Sequence, residues 1–486
     1  MDGAPPAGAA LAALEAAAAR DLAYLDYPAR SWVAARRHPA GLPVRDVVIV
    51  GAGLNGCAAG FGLLRERVTN ITLIDRAAAG REGPWLTYAR MRHLRTAKTL
   101  VGPDLGVRSL SFPAWYEAVN GAAAWARLDR ATNAEWMAYL GWFRRVAGLP
   151  VENGVELISV APEGDLLVLD LLRDGRPARL ATRRLVLATG ALGAGGPEIP
   201  ALIAENLPRE RWAHSSEAID FAALAGKRVA VLGAGASAFD NAAVALEHGA
   251  ASVGLYARRA SIEQPSVKAA LEFAGFLRHY GALDDLSRWR VMRQLARYSV
   301  PPPPTSIKRC TRHDRFAIFT SCPWRSVRLA ADAAGRQSIE IETPAGPHRA
   351  DFVILGTGFA VDVAARPELS GLAPDIALWR DVFTPPDGED PAIARRLGAH
   401  PYLGPGFEYQ PKPGLSAPWL RRIHDFGIGS VQSLGPVTTG LNGTKFGPTR
   451  LVHSLTSSLF LEDAPGHLDR LEHLDLAPQP ADETTI

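Results

Sequence analysis

The sequence predicts an α/β protein with two Rossmann-like dinucleotide-binding domains, the second inserted into the first. Three observations carry that prediction. Two glycine-rich turns, Gly51-Ala-Gly53-Leu-Asn-Gly56 and Gly233-Ala-Gly235-Ala-Ser-Ala238, each follow a short apolar run and open a helical pattern. Each is then followed by another apolar run, the strand–helix–strand order of a βαβ unit. Finally, Arg184 to Gly190 and Asp351 to Gly358 are strand-like runs that both end in Thr-Gly, and they bracket the second unit. An α/β domain interrupted by another, with both crossings at the Thr-Gly turns, is the simplest architecture that satisfies all three.

In chain order, residues 1–44 read as a helical extension and a Pro-containing linker. The first dinucleotide domain then occupies 45–203. Val47-Val48-Ile49-Val50 has the unbroken apolar character of a buried parallel strand. Ile71 to Ile74 is the second strand, and Glu135 to Ala147 has helical spacing of its large apolar residues. The second domain is expected over 204–348, with strands at Arg228–Leu232 and Ser252–Tyr256. Within it, 261–330 is basic and broken by Pro301 to Pro304, and reads as an insertion of helices and loop. Residues 349–486 are expected to complete the first domain with a helix from about Pro448 to Phe460 and a polar tail.

A chain of 486 residues, 47% apolar and 21% charged, has the composition of an ordinary multidomain globular protein. A net charge of +3 argues against a nucleic-acid partner, and no run approaches the ~18 apolar residues of a membrane span. The beginning of the chain lacks the pattern of a secretory signal. Cys57, Cys310 and Cys322 are sparse and odd in number, which fits a reducing cytoplasm. No Cys-x-x-Cys is present, so a dithiol redox pair is not on offer. The expected partners are a small-molecule substrate and O2, and the composition is compatible with a homo-oligomer.

Each glycine turn has a chemical purpose. Gly51 permits the tight turn, Gly53 lets the backbone approach a pyrophosphate, and Gly56 lets the helix pack on the strand. The phosphates then face the helix N-terminus, where free N–H groups and the dipole favour negative charge. Roughly two dozen residues on, Asp75 stands where an acid accepts from a ribose hydroxyl. The second turn offers Gly233, Gly235 and Ser237, with Ala238 in the third glycine place. Its strand ends in Arg258-Arg259 instead of an acid, and arginine suits a 2′-phosphate, so the second site is expected to prefer NADPH over NADH.

From about Asp46 to Phe460 the chain resembles the class B flavin-dependent monooxygenases, the group of flavin-containing monooxygenases, Baeyer-Villiger enzymes and N-hydroxylases. Gly83-Pro84-Trp85 looks like their Gly-Gly-x-Trp segment, and His214-Ser215-Ser216 like their His-Ser motif. Gly356-Thr-Gly358-Phe359 is similar to their Ala-Thr-Gly-Phe/Tyr turn, with Gly356 in place of the Ala. The Baeyer-Villiger pattern has a Phe and a Gly ahead of the His where this chain has Pro208 and Glu210. Leu94-Arg95-Thr-Ala-Lys98, Ser109 to Phe112, and Glu135…Tyr139…Trp142 look instead like stretches of the amine N-hydroxylases. Asn442-Gly-Thr-Lys445-Phe-Gly447 sits where those enzymes carry Asn-x-Thr-His-Gly.

The resemblance implies FAD on Gly51, Gly53, Gly56, Asp75 and Trp85, with Gly190 and Gly358 at the adjoining turns. It places NADPH on Gly233, Gly235, Ser237, Arg258 and Arg259. It also implies a flavin C4a-(hydro)peroxide and delivery of one oxygen atom to a small organic substrate, with N- or S-oxygenation favoured. Baeyer-Villiger or ring hydroxylation and a flavin dehydrogenase or oxidase remain the alternatives. Lys98 and Arg95 are the candidate cationic side of the pocket, and Asn442 and Lys445 the candidate helix start beside the flavin.

Overall fold

The computed structural model describes residues 7–28, 30–99, 101–262, 266–298, 300–331 and 335–473. Its strands are β1 (Val44–Val50), β2 (Ile71–Asp75), β3 (Val151–Asn153), β4 (Val155–Glu163), β5 (Leu166–Arg173), β6 (Arg176–Leu187), β7 (Trp212–His214), β8 (Arg228–Leu232), β9 (Ser252–Tyr256), β10 (Phe316–Phe319), β11 (Ser326–Ala331), β12 (Gln337–Thr343), β13 (Gly346–Ala350), β14 (Phe352–Leu355) and β15 (Ile423–Asp425). The helices that matter for the site are α1 (Ala7–Tyr24), α2 (Leu54–Arg65), α3 (Asn133–Val146), α4 (Ala236–Glu247), α5 (Val267–Leu271), α6 (Ala274–His279), α7 (Asp285–Arg297), α8 (Pro304–Thr311) and α9 (Gly447–Glu472).

Two sheets form, one around each glycine turn, the first mixed because β4-β5-β6 pair antiparallel and the second parallel. The first has the order β3-β2-β1-β6-β5-β4, with β15 also pairing β6. Val47–Val50 lie in register with Ile71–Ile74 on one side and Arg184–Leu187 on the other, all parallel. Valine and isoleucine suit this place because a parallel strand is covered on both faces, and Val47, Val48 and Ile49 are fully buried. The second sheet has the order β10-β9-β8-β14-β7, parallel throughout.

The βαβ units fall where the sequence predicts them, but three boundaries move. Phe352–Leu355 pairs with β8 and β7, so this strand belongs to the second sheet and not to the first domain's returning segment. The chain crosses back only after it, at Gly356 to Gly358. Inside 261–330, α5 to α8 are the expected helices, yet β10 is an integral parallel edge strand and β11 opens an antiparallel β11-β12-β13 sheet. β10 pairs with β9, far back along the chain, which periodicity alone does not disclose. The last helix continues to Glu472 with Pro465 inside it, and the polar tail expected after about Ala477 lies outside the described residues.

The two crossings pair with one another. Glu198 N–H donates to Gly358 O at 2.9 Å, Ala360 N–H to Gly196 O at 3.0 Å, and Asp362 N–H to Ala194 O at 2.8 Å. The covalent link between the units is therefore a two-stranded ribbon. Among the described residues no helix is long and apolar enough to cross a membrane.

Candidate functional site

Gly51 has φ +103°, and a Cβ on it would lie 2.5 Å from the Ala188 carbonyl oxygen at the end of β6. A Cβ on Gly56 would lie 1.8 Å from the Gly51 oxygen, so α2 runs too close to the turn for any side chain. Gly53 is the N-cap of α2 and no side chain caps the helix, which leaves first-turn N–H groups for an anion. The second unit repeats this. Gly233 has φ +122° with the Gly356 oxygen 2.3 Å from its would-be Cβ, and Gly235 begins α4 without a side-chain cap. Both cradles fit a dinucleotide pyrophosphate. Gly190 and Gly358, at φ +66° and +92°, have open space where a Cβ would stand.

Asp75 ends β2 with its carboxylate turned on the glycine turn: Oδ2 accepts from Ala52 N–H at 2.9 Å and Oδ1 from Ala77 N–H at 2.8 Å. A carboxylate has about four lone-pair sites, so acceptor capacity for a ribose hydroxyl remains. The arginine pair is not in the matching place. Gly51 N–H donates to Ile74 O and Gly233 N–H to Tyr256 O, so the residue equivalent to Asp75 is Ala257. Arg258 is one residue further and exposed. Arg259 folds back, and its Nη2 donates to Ala234 O at 2.8 Å, clasping the second turn from the side where Asp75 clasps the first.

Reasoning from sequence missed a buried ion pair under the first turn. Arg144 on α3 lies 2.6 Å from Glu82, whose side chain is only 1% exposed, and Asn153 Nδ2 donates to the same carboxylate oxygen at 2.8 Å. Arg144 Nη1 also reaches Ala52 O at 3.5 Å. Glu82 stands directly before Gly83-Pro84-Trp85, and its separation from position 144 hides the pairing. Trp85 is half-buried, with its ring 6.2 Å from that of Trp136.

The four residues expected to act on substrate fall into two groups. Lys98 lines a narrow cavity with Leu94, Phe112, Trp136 and Leu441, the last adjacent to Asn442. Its Nζ donates to Trp125 O at 2.6 Å and sits 4.4 Å from the centre of that ring. Asn55, in the first turn of α2, donates to Thr438 O at 2.8 Å and so ties the loop before Leu441–Thr444 to the first glycine turn. Asn442 is half-buried there, and Lys445 is exposed at the end of that short helix. Arg95 points elsewhere: its Nη2 lies 2.7 Å from Asp240 on α4, so its charge is met across the boundary between the units.

His214 is buried, with Nδ1 2.7 Å from Ser216 Oγ and its ring 5.5 Å from Phe359 on the ribbon. Burial pushes its pKa down, so it is a neutral packing residue at the junction. A polar cavity of about 340 Å³ opens between 281–288 and 402–421, faced by Arg288, Arg421, Glu408 and Gln410. The three cysteines are buried in three separate apolar clusters, and burial pushes Cys57 and Cys310 up to about 12. No dithiol exists.

The family described as "Pyridine nucleotide-disulphide oxidoreductase" matches residues 45–274. Among solved structures, ornithine hydroxylase from Pseudomonas aeruginosa is similar with a TM-score of 0.65 at 18% identity, covering 86% of this chain and 100% of that one. L-lysine 6-monooxygenase from Pseudomonas syringae gives 0.63 at 18%, covering 85% and 99%. At such identities the likeness is one of fold. A curated protein, the FAD-dependent urate hydroxylase of Xanthomonas campestris pv. campestris, is 40% identical over 477 residues, which is 97% of this chain and 98% of that protein. Identity of that degree over nearly the whole of both chains places this chain in the family of FAD-dependent monooxygenases and hydroxylases, as its motifs led us to expect.

Proposed function

We propose that this protein hydroxylates a ring atom of a small, planar oxo-heterocycle of the urate type, using FAD, NADPH and O2. The observation that carries the reading is the 40% identity to a urate hydroxylase over 97% of the chain. Two observations weigh against oxygen delivery to an amine nitrogen. Arg95 and Lys98, which carry the likeness to amine hydroxylases, are engaged with Asp240 and with the Trp125 carbonyl and ring.

Bound FAD would supply the two-electron redox chemistry and the activation of O2. Everything else is the work of side chains and backbone. Gly51, Gly53 and Gly56 give the pyrophosphate its approach, and Asp75 offers a ribose acceptor. Arg144, held by Glu82, steadies the Ala52 carbonyl behind them. Gly233, Gly235 and Ser237 form the second cradle, with Arg258 at its mouth for the 2′-phosphate of NADPH. Asn442 and the helix start at Leu441 offer N–H groups on the substrate side. Trp85, Trp136 and Phe112 wall that side with apolar surface and exclude water.

The test is a substrate panel of urate, xanthine, ornithine, lysine and an alkyl sulfide, following NADPH oxidation, O2 uptake and product mass together. The reading requires urate or a close oxo-purine to gain one oxygen atom per NADPH consumed. Coupled turnover only with an amine or sulfide would overturn it, as would release of all the oxygen as hydrogen peroxide with every heterocycle.

A further inference from the structure

The two nucleotide-binding units touch at places other than the ribbon, and one of these contacts is ionic. Asp240 lies on α4 one turn past the second glycine turn, with its side chain 3% exposed. Three groups converge on it. From α8, Ser306 Oγ donates at 2.6 Å and Arg309 Nη1 lies at 3.5 Å, both within the second unit. The third is Arg95, at 2.7 Å, which comes from the first unit. Two turns along the same face of α4, Glu247 repeats the arrangement with Arg92 of the first unit at 3.1 Å and Arg309 at 3.0 Å. Arg309 also donates to the Arg90 carbonyl at 3.2 Å.

This arrangement has two supportable states. A buried carboxylate deprived of every partner is costly, but Asp240 keeps Ser306 and Arg309 whatever the first unit does. Arg95 is 44% exposed, so it returns to water cheaply. Arg95 can therefore leave Asp240 without unfolding either unit, while the ribbon and the packing of Tyr280 and Trp289 against Trp379, Leu397 and Val431 keep the units joined. Both ends lie beside functional segments: α4 begins at the second cradle, and Arg92 and Arg95 belong to the stretch running from Trp85 to Lys98.

We propose that Arg95 and Asp240 form a releasable latch that sets the angle between the two nucleotide-binding units. In this role they are positioning residues for passage of a hydride from the nicotinamide to the flavin. The proposal rests on the two-dinucleotide reading above. Arg95 thereby gains a role other than the pocket cation its sequence context suggests.

The experiment compares Arg95→Gln, Arg95→Lys and a control, Arg67→Gln, whose ion pair with Asp26 is exposed and remote from the boundary. Anaerobic bleaching of the flavin at saturating NADPH should slow roughly tenfold in Arg95→Gln, because small misplacements of reacting atoms carry large rate penalties. Arg95→Lys should recover part of the rate and the control all of it. NADPH affinity should stay within about twofold and Tm within about 2 °C, because Arg95 is half-exposed and Asp240 keeps Ser306 and Arg309. Backbone hydrogen exchange at 194–198 and 356–362 should accelerate in Arg95→Gln with no nucleotide present. Added salt at about 0.5 M should slow the wild type toward the variant, since the half-exposed Arg95 guanidinium is open to screening. Unchanged bleaching together with unchanged exchange would overturn the latch. If NADPH does not bleach the wild-type flavin, the functional reading falls, and the exchange data alone then decide the latch: faster ribbon exchange upholds it and equal exchange overturns it.

Discussion

In the first unit Gly56 packs against the Gly51 carbonyl, and the residue at the end of the neighbouring strand is Ala188. In the second unit the same two places hold Ala238 and Gly356. A Cβ on Gly356 would lie 2.6 Å from the Ala238 Cβ, so the methyl that one unit carries on its strand end the other carries on its helix. Charge is exchanged as well. Asp75 accepts from the Ala52 N–H of the first turn, whereas Arg259 donates to the Ala234 carbonyl of the second. Each turn is clasped by a residue at or just past the end of its second strand, with opposite polarity. The third glycine of the fingerprint is thus one member of a pair, and an alanine there is tolerated where the facing residue gives way.

The largest break in this symmetry should come from Gly56→Ala. Its new methyl would meet main chain and not a movable side chain. We expect the purified protein to keep under about a tenth of its flavin, given that overpacking against backbone costs ~1–3 kcal/mol or more; flavin absorbance per mole of protein measures this. Adding Ala188→Gly should not restore it, because the obstacle is the Gly51 oxygen. In the second unit the outcome reverses. Gly356→Ala should destabilise by about 1–3 kcal/mol, and Gly356→Ala with Ala238→Gly, which copies the first unit, should recover most of the loss in thermal unfolding. Equal effects of the single and double changes would refute the pairing.

A smaller effect separates the two arginines. Arg258→Ala should weaken NADPH binding about tenfold, ~1.4 kcal/mol, and leave NADH within about twofold. Arg259→Ala should weaken both nucleotides alike, since it holds the turn; titration of each variant with each nucleotide checks the contrast. The smallest effect lies with His424 on β15 of the first sheet. Burial drives its pKa down to about 4, with Nδ1 2.7 Å from Gly406 O. The unfolded chain takes up this proton near pH 6.5 and the folded one only near 4, so the residue withdraws stability as pH falls across that window. His424→Asn should make the acid limb of a stability–pH curve shallower by about one proton. An unaltered slope would show the histidine to be solvated.

Legibility in the sequence followed the range of the interaction. Gly51, Gly233 and the strands beside them were readable because close backbone approach excludes every other residue type locally. The strand-end pairing of Ala188 with Gly51 was not readable, nor was the membership of Phe352–Leu355 in the second sheet, because both depend on register between distant segments. Arg258-Arg259 shows the intermediate case: the charge reversal was visible, but the one-residue offset that leaves Ala257 opposite Asp75 needs the hydrogen bonds of the turns. Arg95 is legible as a cation and its counterion is not, since no local pattern connects position 95 with 240. Glu82 and Arg144 escaped for the same reason.

The ribbon makes the second unit a cassette. Gly196 and Ala360 are hydrogen-bonded neighbours at 3.0 Å, so everything between them leaves and re-enters through a single doorway. Excising that segment and closing the gap with a short turn would leave the strands of the first sheet without a missing member. In reverse, a unit of different nucleotide preference could be spliced in at the same doorway. The side chains that face α4 and α8, and those of the first unit that pack on Tyr280 and Trp289, would then need to be matched anew.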